Sequence, residues 1–246
     1  MKAKLLRDIL VITALKSIPD LKRQPLLLFL LGFIGSLPLY FILVFGGQIS
    51  YGLIGAMVST VSFIGVNAAI QDITWDRYVK IREMIVAMPV HPISYVLGIA
   101  LAPLVISVPS LIFFVALNMW LGVLTLASLF WAIISLILCW ATMSSMGFLI
   151  STYLRKASPY SLNNIANILG IALGFIPPVY YPEEMLGSLS WISVIFPTSN
   201  AASLVRVYSG SLTLPFEMVI VRWLILLATT LVFAAVTARK ARWRET

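Results

Sequence analysis

Charge is scarce in this chain: of 246 residues, 11% are Asp, Glu, Lys or Arg, while 61% are hydrophobic. Soluble domains average about 25% charged residues, so this chain cannot cover its apolar surface with charge, and part of that surface must face lipid. Cysteine is nearly absent. Cys139 stands alone inside an apolar run, which excludes an intrachain disulfide and a thiolate metal cluster and leaves the thiol as a packing group. The one histidine, His91, excludes an H-E-x-x-H zinc site, and its place between Pro89 and Pro92 gives it a structural rather than a catalytic role. No glycine is followed by lysine, so the phosphate-binding loop G-x-x-x-x-G-K-[ST] is missing. The G-x-S-x-G nucleophile elbow is missing too. The sequence contains no ATP-hydrolysing motor of the P-loop kind, and nothing in it implies a bound cofactor or metal.

What is there is a series of long charge-free runs. A helix needs roughly 20 apolar residues to cross about 30 Å of hydrocarbon, and an Asp, Lys or Arg at its centre costs on the order of 3 kcal/mol. Runs that meet this condition lie at Leu26–Phe45, Ile49–Ile70, Ile93–Asn118, Val123–Ile150, Leu162–Pro178 and Trp223–Ala238. They predict an all-α integral membrane protein with six spans in a single domain over residues 1–246. No small-residue cleavage pattern follows the first run, so a cleaved signal peptide is not expected. The net charge of +8 does not point to nucleic acid, because the cations sit in short stretches beside apolar runs. Six lie in residues 1–25, three in 71–92, two in 151–161 and four in 239–246. By the positive-inside rule those four stretches are cytoplasmic, with both termini inside a cell membrane; Arg206 and Arg222 fall on the opposite side.

Three segments are neither span nor simple loop. Residues 1–25 mix Leu5, Leu6, Ile9, Leu10 and Ile12 with Lys2, Lys4, Arg7 and Lys16. They predict an amphipathic helix on the cytoplasmic surface, its lysines reaching lipid phosphates, ended by Pro19. Residues 71–92 carry three acids and three bases among Ile73, Ile81, Met84, Ile85 and Met88. Holding a loop inside needs only Lys and Arg, so acids and aromatics together indicate a protein partner, with Trp75 and Tyr78 as anchors. Residues 177–200 contain PPVYYPEE and an apolar stretch too short to cross; they predict an outer re-entrant or interfacial segment, with Glu183 and Glu184 placed to cap a helix.

Within the spans the polar groups are amides and hydroxyls, and no ionisable residue sits at mid-membrane, which disfavours a carrier driven by protons or ions. Asn163 and Asn167 share one helical face. Gly170 and Gly174 form a G-x-x-x-G pair that permits close helix approach or a moving interface.

In its order of elements, the chain resembles the type-2 ABC exporter permeases. Asp76-Arg77 and Ala87-Met88-Pro89-Val90 stand where that family has an acidic-Arg pair and a small-x-Pro-Val ending. Tyr181-Pro182-Glu183-Glu184 through Phe196-Pro197 is similar to the family's outer segment. Tyr78-Val79-Lys80-Ile81 departs from the family's Gly-Thr-Leu-Glu stretch, and Leu186-Gly187 replaces an expected Leu-Pro. The resemblance implies a homodimer of such subunits. Each would seat a coupling helix comprising Trp75, Asp76, Arg77, Tyr78, Ile81, Arg82 and Glu83 in a separate ABC-type ATPase that binds ATP and Mg. A haem-exporter-like permease and a stand-alone carrier or channel are the alternatives, and the substrate is not legible.

Overall fold

In the apolar runs, helices begin and end where capping groups allow, not where hydrophobicity stops. The computed structural model describes residues 2–23, 26, 48–78, 91–154 and 157–240. The described α-helices are α1 (Lys2–Arg23), α2 (Ile49–Tyr78), α3 (Pro92–Trp120), α4 (Leu126–Tyr153), α5 (Pro159–Phe175), α6 (Pro197–Tyr208) and α7 (Phe216–Lys240), with a 3-10 segment, Glu183–Ile195, between α5 and α6. Among the described residues there is no strand. His91 is the N-cap of α3: its Nδ1 accepts from the Ile93 amide at 3.2 Å. Thr125 and Ser128 form a reciprocal capping box that starts α4, three residues after the apolar run begins, because the turn through Gly122 at φ 71° has to be completed first.

Among the described residues four helices, α2, α3, α4 and α7, are long and apolar enough to cross a membrane. The fifth expected span, Leu162–Pro178, is matched in length but shifted three residues toward the N-terminus. Helix α5 has 17 residues, ~25 Å at 1.5 Å per residue, because Pro177 and Pro178 end it before it reaches the length of a full crossing. The expected span Leu26–Phe45 lies outside the described residues. The last run begins earlier than its charge-free stretch: α7 starts at Phe216 and carries Glu217 and Arg222 within it. Helix α1 also differs from expectation, continuing through Pro19 to Arg23. Pro19 and Leu15 are exposed, so the Leu15 carbonyl that the proline leaves unbonded is open to the surroundings.

Helix α2 is the axis of the bundle. Leu53, Ile54, Met57, Val58, Val61, Val66 and Ile70 are all sealed from the surface, and α2 packs on α3, α4, α5 and α6. By contrast α3, α4 and α7 present outward faces that include Ile112, Phe130, Ile137, Leu224 and Leu231. Lipid tails are as apolar as these side chains, so the helices cohere through close packing and interhelical hydrogen bonds rather than through the hydrophobic effect. Thr142 and Thr230 meet at 2.7 Å between α4 and α7, and Thr237 donates to the Ser145 carbonyl at 3.1 Å. Trp131 stacks on Tyr208 at 4.8 Å, and Trp223 Nε1 donates to the Tyr208 hydroxyl at 3.1 Å, tying the end of α6 to α4 and α7.

Helix α4 approaches the backbone of the axis closely. A methyl group on Gly147 would lie 2.7 Å from the Val66 carbonyl oxygen and 2.8 Å from Ala69 Cβ, so any side chain there must push two backbones apart. Gly147→Val is expected to lower stability by about 1–3 kcal/mol, measured as a lower unfolding midpoint in detergent. An unchanged midpoint would mean that α2 and α4 are not in contact at this level.

Candidate functional site

The chemistry-bearing side chains gather at the two ends of α2. At one end Asp76, Trp75 and Tyr78 occupy its last turn. Asp76 is buried and accepts from Lys16 Nζ at 2.8 and 2.9 Å and from the Tyr95 hydroxyl at 2.6 Å. One carboxylate thereby joins α1, α2 and α3. The surrounding seam is polar and tight: Thr13 Oγ1 donates to the carbonyls of Ile9 and Gly98, and Ser94 Oγ donates to the Leu5 carbonyl. Trp75 and Tyr78 point the other way, 44% and 67% exposed, with their rings edge to face at 5.7 Å.

The expected coupling residues therefore divide. Trp75 and Tyr78 are available to a partner, whereas Asp76 is spent on an internal ion pair. Arg77 lies in the same turn of α2, and Ile81, Arg82 and Glu83 lie outside the described residues. Lys16, expected to reach lipid phosphates, instead pairs with Asp76, and Tyr95 was not singled out from the sequence. No local signal marks them, since their partner is 60 residues away from one and 19 from the other.

Further along the axis, α5 lies against α2 through its small residues. Carbons added at Gly170 and Gly174 would come within 2.7 Å of the Phe63 ring and 3.2 Å of Ser59 Oγ, and Ser59 Oγ donates to the Gly174 carbonyl at 2.9 Å. Asn67 Nδ2 donates to Asn167 Oδ1 at 2.8 Å, and Gln71 donates to Asn67, so the amide expected on the pathway closes a network between α5 and α2. Asn163 is half-buried on the same helix.

At the other end of α2, two buried arginines organise the expected outer segment. Arg206, on α6, donates to the carbonyls of Pro178 and Val179 and lies 4.0 Å over the Tyr51 ring. Those two carbonyls belong to the turn that follows α5, and the planar guanidinium reaches both, while the helix's own last carbonyls at Leu173 and Gly174 accept from Thr198 and Ser59. Burial lowers the Arg206 pKa to about 10 against the opposing pull of Tyr51, Glu183 and Glu184, which leaves it a cation at neutral pH. Arg222, on α7, is as deeply buried and pairs with Glu183 at 2.5 Å, while its Nη1 donates to Asn200 Oδ1 at 3.2 Å. Ser193 and Ser203 also donate to Glu183, at 2.9 and 2.6 Å.

Of the four outer-segment residues expected to matter, Glu183 is the hub. Pro182 leads into the 3-10 segment, Tyr181 donates to the Ile176 carbonyl, and Glu184 is exposed. Gly187 has φ 56° and ψ −124°, a conformation closed to proline, whose ring holds φ near −65°. Arg206 and Arg222 could have been found as the two cations that break the positive-inside pattern: an arginine beside apolar runs needs a carboxylate or backbone carbonyls as partners, and these are Glu183 for Arg222 and the Pro178 and Val179 carbonyls for Arg206.

No three His, Cys, Asp or Glu side chains converge as a metal site among the described residues. No protein-family model matches the chain, and no curated protein matches it significantly.

Removing one partner of a buried ion pair costs about 3–5 kcal/mol, and Lys16→Met should fall at the lower end because the Lys16 side chain is 26% exposed. Lys16→Met combined with Asp76→Leu is expected to cost less than the two single changes added together, in a double-mutant cycle of unfolding midpoints. Strict additivity would show that Lys16 and Asp76 do not interact.

Proposed function

We propose that this chain is the membrane subunit of an ATP-driven exporter, energised by a separate ABC-type ATPase. The observation that carries this reading is the placement of Trp75 and Tyr78. Two large aromatic side chains stand exposed at the end of the most buried of the candidate spans, in the same turn that Asp76 bolts to α1 and α3. Aromatic residues held on a rigid element are the usual anchors of a protein interface. A force applied there passes along α2 to every helix packed on it.

The distribution of cations supports a cytoplasmic location for this end, with six spans and both termini inside the cell membrane. The lack of a phosphate-binding loop and of a mid-span ionisable group supports an external source of energy. The motif resemblance to type-2 ABC exporter permeases supports the identity of that source, with ATP and Mg held on the partner. A homodimer follows because one copy of so few helices is too small to enclose a wide path. In this scheme the partner ATPase pushes on Trp75–Glu83, α2 tilts, and the α2–α5 seam at Asn67, Asn167, Gly170 and Gly174 adjusts as a path opens between two copies. Helix α1 turns Leu6, Leu10 and Leu15 outward with Lys4 and Arg7 beside them, a face suited to acidic lipid headgroups.

The test is a mild-detergent purification from native membranes, comparing the intact chain with a Trp75→Ala, Tyr78→Ala variant and an Ile81→Asp, Arg82→Glu variant. An ABC-type ATPase is expected to accompany the intact chain and to be lost by at least tenfold from both variants, each of which still inserts. Transport by the purified chain alone, with no ATPase retained, would identify a stand-alone carrier or channel instead.

A further inference from the structure

The segment Glu183–Ile195 is joined to the bundle in an unusual way. Ser193 is its one buried residue, while Met185, Leu189, Trp191 and Ile195 are each more than half exposed. Apolar packing therefore contributes little to holding it. Its attachments are polar and converge on one carboxylate: Glu183 takes Ser203 of α6 and Arg222 of α7, and Ser193, ten residues on, closes the neck of the loop onto the same group. Asn200 adds a bond to the Val194 carbonyl at 2.7 Å. The fold-back that brings residues 183 and 193 together turns at Gly187, in the left-handed region that favours glycine. Helix α6 is held differently. Pro197 to Arg206 are buried without interruption, and Arg206 has its own anchorage on Pro178 and Val179.

We propose that Glu183–Ile195 is a strap latched by the Glu183 carboxylate, able to lift from α6 and α7 as a unit while α6 stays seated. The two arginines divide the work: Arg206 fixes the scaffold, and Arg222 holds the moving part. A charge-assisted latch is suited to this because its bonds share one acceptor residue and are lost together, whereas an apolar interface would peel gradually. The strap sits at the end of α2 opposite Trp75 and Tyr78. The inference does not depend on the exporter reading, since neither ATP nor a partner enters its test.

The test uses the purified full chain in lipid nanodiscs, with Cys139→Ala to remove the native thiol. S193C places a thiol in the neck of the strap, and S199C, in a separate preparation, places one at a fully buried position on α6. Each is reacted with a water-soluble maleimide. Glu183→Gln is expected to speed labelling of S193C by at least ~10-fold, since it removes a charge-assisted pair, and to leave S199C unreactive. Ser203→Ala, which removes one neutral donor, is expected to give a smaller rise of roughly fivefold, and it serves as the test if Glu183→Gln does not fold. Unchanged labelling of S193C, or acceleration of S193C and S199C together, would overturn the proposal: the first shows that the carboxylate does not hold the segment, and the second that the cluster supports the whole bundle.

Discussion

A polar group inside a lipid-facing bundle must find its partner within the protein, because hydrocarbon offers none and each unsatisfied group costs several kcal/mol. The arrangement at both ends of α2 follows from that constraint. Arg206 and Arg222 cannot face lipid, so they turn inward, where the carbonyls of Pro178 and Val179 and the carboxylate of Glu183 receive them. Asp76 is likewise turned inward to Lys16 and Tyr95. Each ion pair then decides which helices are neighbours, since it permits only one set of partners at bonding distance. Apolar packing alone, between helices whose surfaces resemble the lipid around them, is far less selective.

The two polar clusters lie ~37 Å apart along α2, from the 25 residues between Tyr51 and Asp76 at 1.5 Å each. They are built for different tasks. At the Asp76 end the carboxylate locks three helices and leaves two aromatic rings outside, which makes a stiff handle. At the Glu183 end the carboxylate locks one thinly packed segment onto two helices, which makes a latch. Between them the contacts are of the kind that slide: glycine against ring and hydroxyl at Gly170 and Gly174, and amide to amide at Asn67 and Asn167. A rigid axis with a handle at one end and a latch at the other suits the exporter role proposed above.

Much of the helix architecture was legible in the sequence, because length and charge-free runs are local quantities. Ile93–Asn118 and Val123–Ile150 lie on α3 and α4 to within a few residues, whereas α2 starts at Ile49 as expected but runs eight residues past Ile70 to Tyr78, taking in the start of the segment expected to be a separate cytoplasmic helix. Errors arose where a nonlocal bond outweighed a local signal. The run starting at Trp223 seemed to begin after Arg222 because an arginine is normally excluded from a span, yet Glu183 makes it acceptable inside α7. Asp76 was placed among the partner-facing residues by the resemblance of Asp76-Arg77 to an acidic-Arg pair, yet it points to the opposite side of the turn from Trp75 and Tyr78.

The sequence by itself determined the solvent of this protein, its helical class and the residues that punctuate the helices. Those properties depend on composition and on neighbours within a few positions: His91 and Thr125 as caps, Gly122 as a turn, the prolines after α5. Only the tertiary structure decided which of the few charges bolt helices together and which hold the outer segment. An isolated Arg, Glu or Asp has the same transfer cost wherever it stands in a sequence, and that cost is met or not met by a partner 19, 39 or 60 residues away.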